Sequence, residues 1–248
     1  VPAPPELYVD ERQAESGAPL VAIVHGVMDR STSFGRVAMR LRDLHVIRYD
    51  RRGYGRSITT GPADLDRHVA DLLEVLDDRP ATVVGHSYGA VVALIAAEQH
   101  PLVVRSVLAY EPPTPWEPWW PQASDAPPED PAEEAEAFLR GAVGDRLWER
   151  LPARTREARR AEGVALRADI ASLQGHAPFD PSRVHVPVLV ACGSATTWWH
   201  ERAARALAMH LPHAEVAVIQ GAQHGVHLTH PVELVDLVRR AIALADDQ

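Results

Sequence analysis

The chain has 248 residues, 46% of them hydrophobic, and a formal charge of −9. That length suits one large domain with a buried core, or one domain carrying an insertion. The acidic balance argues against a nucleic-acid partner or an anionic membrane surface, and no apolar run approaches the ~20 residues of a membrane helix.

Taken in chain order, short Val- and Ile-rich runs alternate with amphipathic stretches. Residues 20–25 (LVAIVH) read as a strand and 32–42 as a helix; 45–49 (HVIRY) read as a strand, and 63–78 as a helix with Leu65, Val69, Leu72, Leu73 and Leu76 on one face. Residues 81–85 follow as a strand, 88–99 as a helix and 103–109 as a strand. After a long interval, 186–192 and 214–219 read as strands, and 200–210 and 231–245 as helices. Continuously apolar strands separated by helices predict an α/β fold, a mostly parallel doubly wound sheet covered on both faces, with right-handed crossovers.

Residues 111–180 break this rhythm. They hold no strand candidate, open on EPPTPWEPWWPQASDAPPEDP, and then read as helices at about 131–150 and 153–174. The expected division is a core of 1–110 and 181–248 with a helical cap over 111–180. The tryptophans of the Pro-rich opening favour an ordered loop over a solvated linker, because disordered segments are poor in aromatics. The N-terminal residues lack the basic-then-apolar pattern of a secretory leader. The single Cys192 allows no internal disulfide framework and reads as a small buried hydrophobe. Cytoplasmic location is the expectation.

The strongest chemical signal is TVVGHSYGAVVALIAAE (Thr82–Glu98), which places Gly85-His86-Ser87-Tyr88-Gly89 between a strand and a helix. A serine on so tight a turn is exposed, and the helix N-terminus beside it favours developing negative charge. Three further stretches agree: IVHGVMDRSTSF (Ile23–Phe34), YDRRGYGRS (Tyr49–Ser57) and IQGAQHGVHLTHPVELVDLV (Ile219–Val238). With these motifs the chain resembles the α/β-hydrolase fold superfamily over nearly its whole length. The resemblance implies Ser87 as nucleophile, His224 as general base, and the backbone amides of Val27 and Tyr88 as an oxyanion hole. Asp50 reads as part of a structural turn rather than as the triad acid. His227 is a possible rival for the base, and His230 reads as a helix-start residue. The three-residue spacing of His224, His227 and His230 raises a metal site, but Gly225 weakens a helical face there, so neither metal nor cofactor is expected.

The family's usual acid position, just past the strand ending near Ala191, holds Ser194, Ala195, Thr196 and Thr197 instead. The next carboxylate, Glu201, lies inside the following helix. Glu111 is the first carboxylate past the strand after the nucleophile helix, and catalytic groups on open α/β sheets gather at strand C-termini. Glu111 is therefore the expected acid, with Glu201 or no carboxylate as alternatives. All six Trp fall in the insertion or at 198–199. Trp116, Trp198 and Trp199, with Met28, are expected to line an apolar pocket for a small apolar or aromatic carbonyl substrate. The leading expectation is a serine hydrolase of esters, thioesters or lactones. A cofactor-free C–C hydrolase, lyase or tailoring enzyme, and a non-enzymatic receptor, stand as alternatives because fold does not fix chemistry.

Overall fold

The computed structural model describes residues 7–122 and 126–246. Seven strands form one sheet: β1 (Val9–Arg12), β2 (Leu20–Val24), β3 (His45–Tyr49), β4 (Ala81–His86), β5 (Val104–Tyr110), β6 (Val188–Gly193) and β7 (Ala214–Ile219), in the order β1-β3-β2-β4-β5-β6-β7. All neighbours run parallel except β1, which pairs antiparallel with β3. The apolar runs of β2, β4 and β6 are buried at every position, as a sheet covered on both faces requires.

The helices are α1 (Gly35–Ala38), α2 (Leu65–Leu76), α3 (Tyr88–Gln99), α4 (Pro131–Val143), α5 (Asp145–Arg150), α6 (Ala153–Arg160), α7 (Gly163–Ser172), α8 (Trp198–His210), α9 (Val226–Thr229) and α10 (Pro231–Asp246). One face of the sheet packs on α2, α3 and α8 through Leu72, Leu76, Leu94, Ala204 and Leu207. The other packs on α1 and α10 through Val37, Leu234 and Val238. α3 is buried along its length from Tyr88 to Ala97, so the helix that follows Ser87 is fixed from all sides. No helix among the described residues is long and apolar enough to cross a membrane.

The structure adds one strand that the sequence reading did not assign and alters three expected helices. VDER forms an edge strand despite its polarity: Arg48 pairs with Asp10 across the ladder at 2.6 Å, and the Arg12 guanidinium donates to Ala38 O and Leu41 O. Residues 32–42 yield only a 3-10 turn, Ser31–Phe34, and the short α1. Each long helix of the insertion is broken. The first breaks at Gly144, which adopts φ +82°. The second breaks before Gly163, where Glu162 is drawn into the core and takes hydrogen bonds from Arg30 Nε at 2.9 Å and Gly55 N at 2.8 Å. A buried carboxylate must be satisfied in this way, and that demand outweighs helix continuity.

Candidate active site

Ser87 follows the last residue of β4 and precedes the first of α3, with φ +55° and ψ −123°. A non-glycine residue in this region is strained, and the neighbours explain how it is held. A Cβ at Gly85 would meet Ala90 Cα at 2.4 Å, and one at Gly89 would meet Val24 O at 2.2 Å. The G-x-S-x-G glycines are therefore required by backbone proximity. Ser87 N donates to Tyr110 O at 2.9 Å, which fastens the turn to the neighbouring strand. Met28 (φ +50°) and Glu111 (φ +47°) are strained too, each just past a strand end. Three of the five non-glycine residues with positive φ among the described residues thus lie at the carboxyl edge of the sheet.

Glu111 is fully buried. Its Oε2 accepts from His224 Nδ1 at 2.6 Å, and its Oε1 accepts from Gly193 N at 2.9 Å. Burial alone would raise its pKa; the hydrogen bond and charge of His224, with the Gly193 N–H, outweigh it and hold the carboxyl below its ordinary value. The bond fixes the proton of neutral His224 on Nδ1 and leaves Nε2 as a lone pair. The His224 loop is tethered from below: His86 Nε2 donates to His224 O at 2.8 Å and Tyr110 Oη donates to Gln223 O at 3.0 Å. Glu201, the alternative acid, is half-exposed and pairs with Arg205 one turn on. Asp50 accepts from Ser31 N at 2.8 Å and Arg56 N at 2.9 Å, the structural-turn role expected of it.

A second imidazole stands beside the first. His200 stacks on His224 with ring centroids 4.6 Å apart and planes 11° from parallel. Its Nδ1 lies 3.7 Å from Glu111 Oε2 and 2.9 Å from Thr197 Oγ1. Burial, then the neighbouring His224, lower its pKa from 6.5 to about 4, so it is neutral at pH 7. Sequence reading missed His200; only its position at the start of α8, over the strand edge, could have drawn attention to it.

The amide donors are held from behind. The N–H groups of Val27 and Tyr88 have no acceptor among the described residues. The Gly26 carbonyl belongs to the same trans peptide as Val27 N–H and points the opposite way. It accepts from Arg51 Nη2 at 3.1 Å and from His25 Nδ1 at 2.7 Å. Arg51 N donates to His25 Nε2 at 2.9 Å, which places the proton of His25 on Nδ1. Burial, then the Arg51 charge, lower the His25 pKa to about 4, so this neutral tautomer persists. Arg51 is in turn held by Asp169 of α7, with Nη2 to Oδ2 at 2.7 Å, and Tyr54 Oη donates to the same oxygen at 2.8 Å. The insertion thereby grips the peptide that presents Val27.

The aromatic residues divide. Trp119, Trp120, Trp198 and Trp199 form a chain of rings ending on His200, with Trp120 centred 5.5 Å and Trp199 6.0 Å from it. Trp116 packs instead on Phe179 and the core. Trp148 is buried and donates to Glu136, inside the insertion. Met28 is buried with Tyr54, Ala165 and Leu166 where α7 docks. The three C-terminal histidines part company: His224 goes to Glu111, His227 stacks on Phe34 at 4.2 Å, and His230 pairs with Thr229 at the surface.

The alpha/beta hydrolase family model matches residues 21–237. A lipase, LipV, of Mycobacterium tuberculosis is 34% identical over 110 residues, 43% of this chain and 42% of its own length. Epoxide hydrolase A of the same organism is 38% identical over 103 residues, 38% of this chain and 32% of its own. The matched stretch spans about two-fifths of the first curated relatives. Among solved structures, the enol-lactonase of Burkholderia xenovorans superposes with a TM-score of 0.72 at 18% identity, covering 95% of this chain and 96% of the other. An alpha/beta hydrolase of Sphaerobacter thermophilus gives 0.69 at 24%, with 95% and 96% covered; both likenesses bear on the fold. With a family match over most of its length, the chain belongs to the alpha/beta hydrolase family.

Proposed function

We propose that the protein is a serine hydrolase that cleaves a small apolar ester, thioester or lactone through an acyl-enzyme. Ser87 attacks the carbonyl while His224 Nε2 takes its proton. The amides of Val27 and Tyr88 receive the oxyanion, and Glu111 stabilises the imidazolium that forms. His224 returns the proton to the leaving group, then activates the water that releases the acid. Each oxyanion donor contributes on the order of 3 kcal/mol to the transition state.

The observation that carries this reading is the Glu111–His224 contact at 2.6 Å. It supplies the family's third member from β5, where the loop after β6 has none. Serine at the turn supports acyl transfer over the carboxylate-nucleophile chemistry expected of a haloalkane dehalogenase or epoxide hydrolase. The lipase similarity supports an ester, and the tryptophan chain ending on His200 supports an apolar acyl or alcohol group. The test is turnover of short p-nitrophenyl esters together with labelling by a fluorophosphonate, both lost in Ser87→Ala. Labelling without turnover at any acyl chain length would remove ester hydrolysis and return the site to lyase or receptor chemistry.

A further inference from the structure

Behind the nucleophile turn lies a second cluster that the proposed reaction does not use. Asp29 lies on the loop after β2, His86 ends β4, and His227 sits in α9. One ligand atom from each lies within 4.8 Å of the other two. His86 and His227 are each more than nine-tenths buried. Asp29 Oδ2, His86 Nδ1 and His227 Nδ1 are buried without a hydrogen-bond partner among the described residues. Orphaned polar atoms of this kind are costly and call for a ligand.

The proton positions say what kind of ligand. His86 Nε2 faces a carbonyl, His224 O, at 2.8 Å, so it must carry the hydrogen. Its Nδ1 is then a bare lone pair. Burial and the neighbouring His224 keep the ring neutral by lowering its pKa. Beside that lone pair stand a carboxylate oxygen and the His227 ring, whose centroid is 4.9 Å away. Two acceptors facing one another need a cation or a donor between them. Asp29 Oδ2 and His227 Nε2 are 3.2 Å apart, yet Oδ2 is left without a hydrogen bond. That separation is close to the edge of a tetrahedron of ligands at about 2.0–2.1 Å from a metal, which is roughly 3.3 Å.

Two of the three residues also carry the outer shell of a metal site. Ligating imidazoles donate their other N–H to a carbonyl or carboxylate, and ligating carboxylates are themselves hydrogen-bonded. His86 donates to His224 O, and Asp29 Oδ1 accepts from Arg30 N at 2.8 Å. We infer that Asp29, His86 and His227 form a site for one divalent transition-metal ion, zinc being the best fit to two imidazoles and a carboxylate. The ion ties together the loops that carry Val27, Ser87 and His224. This differs from the spacing of His224, His227 and His230: only His227 belongs, and its partners come from elsewhere in the chain. The neighbouring trio of Glu111, His200 and His224 is equally compact, but its nitrogens and oxygens already meet one another and Thr197.

The experiment is titration of chelator-treated full-length protein with Zn²⁺ by calorimetry, with the melting temperature followed in parallel. One equivalent per chain and a raised melting temperature are expected, with affinity at least tenfold weaker in Asp29→Asn and in His227→Gln and little changed in His200→Gln. Cobalt(II) added to the wild type should give the intense visible bands of tetrahedral coordination, a reading that needs no variant to fold. Absence of saturable binding in natively folded wild type would overturn the inference and assign the orphaned atoms to a buried water. Binding lost in His200→Gln but kept in His227→Gln would overturn it in favour of the other trio. Neither result bears on ester turnover, so this inference and the proposed hydrolase fail separately.

Discussion

Two clusters, each a carboxylate with two imidazoles, flank the Ser87 turn. In one, Glu111 meets His224 at 2.6 Å and Gly193 N at 2.9 Å, and both its oxygens are satisfied. In the other, Asp29 keeps one oxygen on Arg30 N while its second faces His227 and His86 without a hydrogen bond. The same side chains in the two settings should do different work. A satisfied carboxylate fixes an imidazole tautomer and is suited to move protons. A buried carboxylate oxygen and a bare imidazole lone pair that face one another without a hydrogen bond are suited to hold a cation.

The sharpest way to break this contrast is to neutralise each carboxylate in turn. Glu111→Gln should lower kcat for a p-nitrophenyl ester by about 10³–10⁴-fold with the circular dichroism spectrum intact, the size of effect seen when a triad acid is lost. Asp29→Asn should cost far less, on the order of tenfold, because it touches no reacting atom. Equal losses would show that both clusters serve one proton path.

Next in size is the grip of the insertion on the Gly26–Val27 peptide, whose amide is the proposed oxyanion donor. Asp169 is buried, and although burial would raise its pKa, Arg51 and His68 bring it down from 3.8 to about 2. Asp169→Asn leaves the Arg51 charge uncompensated and should destabilise the fold by about 3 kcal/mol in urea unfolding. It should also lower kcat by roughly tenfold or more with KM little changed, since a misaligned donor is felt mainly in the transition state. A stable variant with unaltered kcat would mean that the Val27 amide is positioned without Arg51. A depressed carboxyl stabilises above its unfolded pKa, so Asp169 withdraws its contribution as pH falls from 3.8 towards 2.

His200 carries the next prediction. Its pKa, like that of His25, is lowered from 6.5 to about 4. The native state therefore binds fewer protons than the unfolded chain between these values. Stability is full above pH 6.5 and declines as pH falls to 4, by on the order of 3 kcal/mol for each fully shifted imidazole. His200→Phe keeps a flat ring against His224 and should flatten that slope in urea melts at pH 7 and pH 5. An unchanged slope would place the acid sensitivity elsewhere.

How much of this was legible beforehand follows from the physics of each element. The buried parallel strands declared themselves because continuous apolar runs have few other uses. The Ser87 turn did so because two glycines with no room for a Cβ flank it. Glu111 was reachable by topology, since a strand that follows another through one helix tends to neighbour it. The β1 edge was hidden because cross-strand Arg–Asp pairing, not propensity, holds VDER in the sheet. The broken helices of the insertion were hidden because Glu162 leaves the helix for partners distant in sequence. Asp29, His86 and His227 stand about sixty and one hundred and forty positions apart, and no periodicity links residues that only the sheet brings together. Arg51 looked like one more arginine in an arginine-rich loop; its role depends on which carbonyls it meets.

The smallest effect expected concerns how substrate approaches. In the Asp29 cluster Phe34 stacks on His227, whereas beside the Glu111 cluster Trp120 and Trp199 meet His200. Trp198, between Trp119 and Trp199, is 56% exposed. An exposed indole adds little to stability, so Trp198→Ala should unfold within about 0.5 kcal/mol of the parent. If the rings guide an apolar acyl group, KM should rise by about three- to fivefold for butyrate and hexanoate esters and by less for acetate, with kcat constant, because a contact made equally in ground and transition states changes binding alone. A KM that rises equally for all chain lengths would place the acyl group elsewhere and leave the tryptophans to pack the Pro-rich loop onto α8.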